Sequence, residues 1–430
     1  AFRLGDISGA GKYWQKTIQL YPDYSDAYYG LALVLEQQGD KEGAATAILK
    51  AVKLAPDRKD FASTADRLVV NTTKKALPVI VRPTTLQMGF RIGLDKTFQV
   101  LNKGKWRSFF WKGIDLGAAL PGKYPSEFPG KDIYVNWLED IGAMGFNVIR
   151  VYTIHPPVFY EALREYNLSH TVPIYLAHGV WAELPPNEDF LNKAWFDDWK
   201  SEMRRVIDLL HGHAEIAAQP GHSSGSYLAD VSQWTIGIIL GREWESPSVR
   251  EFNKLHPEAT SYAGQFASCT SGTPMEAFFA AAIDYFMAYE STTYNAQRPV
   301  AFTNWPTLDP LQHVSESTKS EEAVWKKRYG LLDADVEIDP LLASEEDEES
   351  ADMEKIALGP ANKAGLFVSY HAYPYYPDFL DNDEILKKGA DRQGPNNYNA
   401  YLDLLVAHHA KYPVVISEFG VPSSRISAHW

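Results

Sequence analysis

From residue 109 onward, short apolar runs alternate with stretches of helical spacing. The runs 109–116, 147–153, 172–177, 234–241, 299–304, 366–371 and 414–418 read as buried strands. Continuous Val, Ile and Leu suit strands that are covered on both faces. Between them, 135–144, 190–210 and 275–293 carry apolar residues at helical period. This alternation predicts an α/β fold with a parallel sheet, and a (β/α)8 TIM barrel is the economical solution for strand–helix units in this order. No strand pattern follows Glu418 before Trp430. The pattern therefore predicts a barrel truncated before strand 8, with its first and seventh strands left as open edges. Residues 315–354 break the period, and the acidic run 344–350 within them reads as a solvated loop or an active-site lid.

The first 57 residues follow a different rule. Pro22 and Pro56, Ala10 and Ala44, and Trp14 and Ile48 each stand one 34-residue period apart. Tyr28, Leu31, Ala32, Leu35, Gly39, Ala44, Ile48, Ala51 and Pro56 resemble the tetratricopeptide repeat, whose small residues let paired helices approach closely. That resemblance implies an all-α segment at 1–57 and a surface for a protein partner, or a spacer. Residues 58–76 read as a capping helix and linker. Residues 77–108 read as a β lead-in, with strands expected at 79–82 and 98–100 and a hairpin turn at Asn102-Lys103-Gly104-Lys105. The barrel is expected to span 109–430.

Charge narrows the partners. A net charge of -14 argues against nucleic acid and against anionic lipid. No apolar run is long enough to span a membrane. The single cysteine, Cys269, allows no intrachain disulfide. The chain opens Ala1-Phe2-Arg3 without Met, so its start reads as cut, and the localisation reading leans to an extracytoplasmic or cell-surface protein.

In a barrel, chemistry sits at the C-terminal ends of the strands. Those ends present Asp115; Arg150, Tyr152 and His155; His178 and Trp181; Arg242, Glu243 and Glu245; Asn304 and Trp305; Tyr370, His371 and Tyr373; and Glu418. Two runs stand out, Ile239-Leu240-Gly241-Arg242-Glu243 and Val415-Ile416-Ser417-Glu418-Phe419, because each is a buried strand that ends in glutamate. Two carboxylates brought together are what glycosidic bond cleavage requires. The chain from about 109 to 430 resembles clan A of the glycoside hydrolases on these runs. The resemblance implies that Glu243, ending the fourth strand, is the acid/base and that Glu418, ending the seventh, is the nucleophile. Arg150 in Asn147-Val148-Ile149-Arg150-Val151-Tyr152 matches the arginine that supports the nucleophile, and His371 and Tyr373 match aromatic positions on the sixth strand. The Arg-Val-Tyr wording also resembles branches of the clan that act on β-1,3-glucans.

Arg242 departs from the clan, which places asparagine before the acid/base. Arginine donates hydrogen bonds and accepts none. It can grip a hydroxyl or a carboxylate of an acidic sugar, or turn away into a salt bridge. Burial beside Trp244 and the field of Glu418 predict a raised pKa for Glu243. Asp115, Arg150, Tyr152, Trp181, Arg242, Asn304, Trp305, His371 and Tyr373 are the candidate substrate-binding residues. Gly221-His222-Ser223-Ser224-Gly225 mimics a nucleophile elbow but lacks the flanking strand and helix. His211-Gly212-His213 reads as surface or helix-capping residues, and His408-His409 as a pair bordering the core or solvent. His155, His178, His371 and Asp115 form no recognised metal spacing, so neither metal nor cofactor is expected. The reading is a retaining glycosidase or transglycosylase acting on a β-linked oligo- or polysaccharide. Its alternative is a non-catalytic glycan-binding barrel on a repeat-based interaction scaffold.

Overall fold

A computed structural model of the chain describes residues 7–70, 77–120, 128–219, 222–311, 349–374, 380 and 383–421. The chain divides into two compact units, residues 1–78 with 214–228, and residues 79–213 with 229–430.

The first unit holds the helices α1 (Ile7–Leu20), α2 (Ser25–Gln37), α3 (Lys41–Leu54) and α4 (Lys59–Val70). Ala32, Ala44, Ile48 and Ala51, chosen from the sequence as close-packing positions, are fully buried with Phe61 of α4. Gly39 ends α2 at φ +80°, a conformation that L side chains rarely adopt. Asp40 then caps α3 by accepting from the Gly43 amide at 2.9 Å. In the same unit, Ala214–Ile216 pairs antiparallel with Gly225–Tyr227. Ser223 lies in the loop before the second of these strands rather than on a strand-to-helix turn, and Gly221 is outside the described residues.

The second unit is built on one sheet of seven parallel strands. They are β1 (Gly113–Asp115), β2 (Val148–Val151), β3 (Tyr175–Val180), β4 (Thr235–Leu240), β5 (Val300–Asn304), β6 (Val368–His371) and β7 (Val414–Glu418). They pair in chain order, each parallel to the next, and β1 and β7 form the two edges among the described residues. The sheet curls until it is nearly closed: Arg150 of β2 reaches Glu418 of the far edge at 3.0 Å. The outer helices are α5 (Lys131–Ala143), α6 (Pro157–Ser169), α7 (Lys193–Leu210), α8 (Ser246–Leu255), α9 (Pro274–Tyr294) and α10 (Asn397–His408). Helix α9 starts at a full capping box, in which Thr273 and Glu276 satisfy each other's amides. No helix among the described residues is long and apolar enough to cross a membrane.

The lead-in differs from expectation. A three-stranded antiparallel sheet forms from Phe90–Ile92, Phe98–Asn102 and Lys105–Ser108, with the hairpin at the predicted turn. Residues 79–82 form no strand, and Val79 and Val81 are largely exposed. Prolines at 78 and 83 bracket that run, and proline donates nothing to a ladder. The lead-in sheet instead inserts Phe90 and Phe98 among Val148, Ala177, Ile236, Ala301 and Phe367, and so plugs the strand interior. Of the acidic run 344–350, only Glu349 and Ser350 fall within the described residues.

Two strand-end histidines turn inward. His178 is fully buried, with Nε2 2.8 Å from the Tyr160 hydroxyl and Nδ1 2.6 Å from the Gly179 carbonyl. Burial pulls its pKa down to about 4, and burial with His178 nearby pulls His155 down to about 3. Unfolded histidines accept protons below about 6.5, whereas these refuse them until lower pH. Stability is therefore fully present above about 6.5 and falls as pH drops toward 4. The expected result is a thermal midpoint that declines between pH 7 and 4.5, with a smaller decline in His178→Gln. An unchanged midpoint across that range would contradict it.

Candidate active site

Both key carboxylates are delivered by strand geometry. All six residues of β4 are buried, and the ladder continues one step as the Gly241 amide donates to Val180 at 2.9 Å. Gly241 then turns the chain at φ +84°, and a Cβ there would meet the Trp244 ring at 2.5 Å. Only glycine allows that turn and that contact together. Trp244 is fully buried and packs edge-on against Phe190 and Trp199, with ring centroids 5.2 and 6.0 Å away. Its carbonyl accepts from the Trp305 indole at 2.9 Å. With the tryptophan fixed in the helix layer, the preceding Glu243 side chain projects from the strand end. The burial expected for Glu243 is not found, since its side chain is 41% exposed. At the β7 edge of the sheet, Glu418 is the last residue of its strand and its side chain is 17% exposed.

His371, ending β6, joins the two. Its Nδ1 lies 2.7 Å from Glu243 Oε1 and 3.2 Å from Glu418 Oε2. Its Nε2 lies 2.8 Å from an Arg150 guanidinium nitrogen. Arginine only donates, so Nε2 must accept, and the ring proton therefore sits on Nδ1. The neutral imidazole then donates toward both carboxylates. Glu243, His371 and Glu418 place one ligand-capable atom each within 4.8 Å of one another. A metal there would have to displace the Nδ1 proton, and the Arg150 cation already neutralises Glu418.

Glu418 is held from several sides. Arg150 donates to Oε2 at 3.0 Å, and Tyr373 donates to Oε1. Burial alone would raise its pKa, but His371, Tyr373 and Arg150 together bring it below the ordinary glutamate value. Asp115 lies 3.7 Å from Arg150 and behaves in the opposite way. Burial lifts it to about 6, against the pull of Arg150 and with some help from Glu418. The Arg150 guanidinium also sits 4.4 Å over the Tyr152 ring.

Residues 1–59 match a tetratricopeptide-repeat family model. No curated protein matches the chain. Among solved structures, the crystal structure of an endo-laminarinase from Formosa Hel1_33_131 is similar at 15% identity, over 73% of this chain and 97% of that one, with a TM-score of 0.23. That score is too low to carry an argument about the site.

The sequence-derived candidates divide into three groups. Asp115, Arg150, Tyr152, His371 and Tyr373 gather around Glu243 and Glu418. Trp181 and Arg242 form a neighbouring platform, with the guanidinium 5.1 Å over the indole. Of the orientations open to Arg242, the structure has it turned into salt bridges, 2.9 Å from Glu245 and 3.3 Å from Glu183. Asn304 and Trp305 serve the scaffold. Asn304 is buried, donates to the Ala351 carbonyl at 2.9 Å and accepts from the Trp305 amide at 2.8 Å. Glu183 is the residue that sequence reading missed: it also accepts from the Trp181 indole at 3.0 Å. Its only signal was an acidic residue two places after an exposed tryptophan. His211, read as a surface or capping residue, stacks on Tyr294 and lies 2.9 Å from Glu290. Glu290 is fully buried and also paired with Arg298. Burial would raise its pKa, but Arg298 and His211 lower it to about 2.

Proposed function

We propose that the second unit is a retaining glycoside hydrolase or transglycosylase acting on a β-linked glycan, its sheet belonging to the (β/α)8 class. Glu418 is the nucleophile and Glu243 the acid/base. One observation carries this: carboxylate oxygens from the ends of β4 and β7 lie within 4.8 Å of one another, with His371 between them. Retaining enzymes hold their carboxyl groups about 5–5.5 Å apart, and inverting enzymes about 6.5–9.5 Å, to leave room for a water. The short separation supports double displacement and speaks against a barrel that only binds glycan.

On this reading Glu418, kept ionised by Arg150 and Tyr373, attacks the anomeric carbon. The glycosidic C–O bond breaks as Glu243 gives its proton to the leaving oxygen. Water or a sugar hydroxyl then attacks the glycosyl ester, returns a proton to Glu243 and frees the Glu418 carboxylate. His371 orients both carboxylates through Nδ1–H. Trp181, held by Arg242 and Glu183, offers an exposed aromatic face beside the acid/base, which suits the apolar face of a sugar ring.

The test is stereochemical. The chain is incubated with β-1,3- and β-1,4-linked oligosaccharides, and the first-formed anomer is followed by proton NMR before mutarotation. The expected product is the β-anomer, or a longer β-linked oligosaccharide. An α-anomer formed first would overturn the retaining assignment.

A further inference from the structure

Away from the carboxylate pair, the end of α10 meets the segment that begins at Asp352. His408 is the last residue of α10 and His409 caps it at φ -79°, ψ 83°. Because the backbone leaves helical geometry there, two successive side chains can face one point. Their rings stand 5.0 Å apart at 85° to each other. His408 Nε2 lies 3.1 Å from Asp352 Oδ2, and His409 Nδ1 lies 3.7 Å from Glu354 Oε1. Asp352, His408 and His409 bring one ligand-capable atom each within 4.8 Å of one another.

His409 is the decisive member. Its side chain is 0% exposed, and its Nδ1 has no hydrogen-bond partner. Its Nε2 is engaged by the Tyr370 hydroxyl at 2.9 Å. If Nε2 carries the proton, the Nδ1 lone pair faces the carboxylates of Asp352 and Glu354, and nothing separates like from like. If Nδ1 carries it, Glu354 is too far away to accept well. Neither tautomer satisfies the atom from within the protein, and an unmet buried polar atom is costly. The Lys411 amide donates to Glu354 Oε1 at 3.0 Å, and its ammonium lies 3.9 Å from Oε2 and is engaged with the Glu354 carbonyl; none of these contacts gives His409 Nδ1 a partner.

We propose that Asp352, His408 and His409, with Glu354 completing the set, bind a divalent transition metal such as zinc. Two imidazoles and carboxylates favour zinc, cobalt or nickel over calcium or magnesium, which prefer all-oxygen sites. The 3.1 Å and 3.7 Å ligand separations bracket what a tetrahedral ion with bonds of about 2.0–2.2 Å requires. The ion would fasten the 349–358 segment to the end of α10, and through His409 and Tyr370 to β6.

The test uses the whole chain after dialysis against EDTA. Zinc uptake is measured by calorimetry and elemental analysis, cobalt(II) binding by visible absorption, and stability by the thermal midpoint. The expected result is a single zinc per chain, a cobalt spectrum of tetrahedral intensity, and a midpoint that rises with zinc, since a ligand that binds only the native state stabilises it. All three should be lost in Asp352→Asn, which is nearly isosteric, and in His408→Ala, whose side chain is partly exposed. Circular dichroism confirms that each variant is folded. Glu243→Gln, which removes a ligand from the other metal-capable trio, should retain them. Failure to take up zinc, uptake that survives both Asp352→Asn and His408→Ala, or uptake lost in Glu243→Gln would each overturn the proposal.

Discussion

Glu418→Ala should lower turnover of a β-linked glycan by about 10⁴-fold or more while leaving the fold intact, since loss of a nucleophile removes the covalent route and not merely one contact. The side chain lies at the mouth of the sheet rather than in the interior plug, so its removal opens solvent-reachable space. The more telling result is chemical rescue. In the space vacated by the carboxylate, azide can approach the anomeric carbon from the side Glu418 used. The product from a β-glycoside with a good leaving group is then the α-glycosyl azide. Nuclear magnetic resonance of the product decides the matter. Residual hydrolysis near the level of the unmodified chain would remove Glu418 from the mechanism, and a β-azide would give the nucleophile role to another group. Arg150 makes the expectation sharper. It is buried and bound to Glu418 and His371, so the alanine variant leaves a cation facing the hole, where a small anion is welcome.

The elements that position this pair were legible because their signal is local. Strand β7 lies where its apolar run ends, at Val414–Glu418, and β4 is one residue shorter at each end than the run that predicted it. The fully buried β4 writes itself as a run rich in Ile and Leu, and β7 carries a similar apolar run although each of its residues is only half-buried. Strand β3 was read as ending too early, because His178 and Gly179 look like the end of a run. The polarity of His178 is hidden by Tyr160, which lies on α6. The helical periods picked out in the sequence do not include α6, which opens with proline at its first position, where the missing amide is no loss. Arg242 shows the same limit at the site. Its residue type and position were readable, but its direction depends on Glu183, from a different strand-end loop. The metal-capable cluster is another long-range product, since Asp352 and His408 are far apart in sequence and His408-His409 by itself reads only as a pair bordering the core or solvent.

Glu243→Gln separates the two chemical steps and so tests the second carboxylate on its own terms. The amide is nearly isosteric and can still accept from His371 Nδ1, so the 2.7 Å contact and the position of Glu418 should persist. What is lost is the transferable proton. General acid–base contributions are typically about 10²–10⁴-fold. That loss should appear in full for natural oligosaccharides, whose leaving alkoxide needs protonation. Glycosides with a strongly acidic phenol as leaving group need no such help, so formation of the glycosyl ester on Glu418 should remain fast. Its breakdown, which needs Glu243 as base, should become slow. The expected signature is a burst of phenol equal to the enzyme concentration, followed by a slow steady state, with both KM and kcat reduced. Azide should accelerate the slow phase and give the β-glycosyl azide, the opposite anomer from the Glu418→Ala experiment. Because the two variants predict opposite stereochemistry from one reagent, a shared anomer would show that the two roles are not divided as the strand ends suggest. An equal loss for natural and activated substrates, with no burst, would mark Glu243 as a residue that only holds His371 in place.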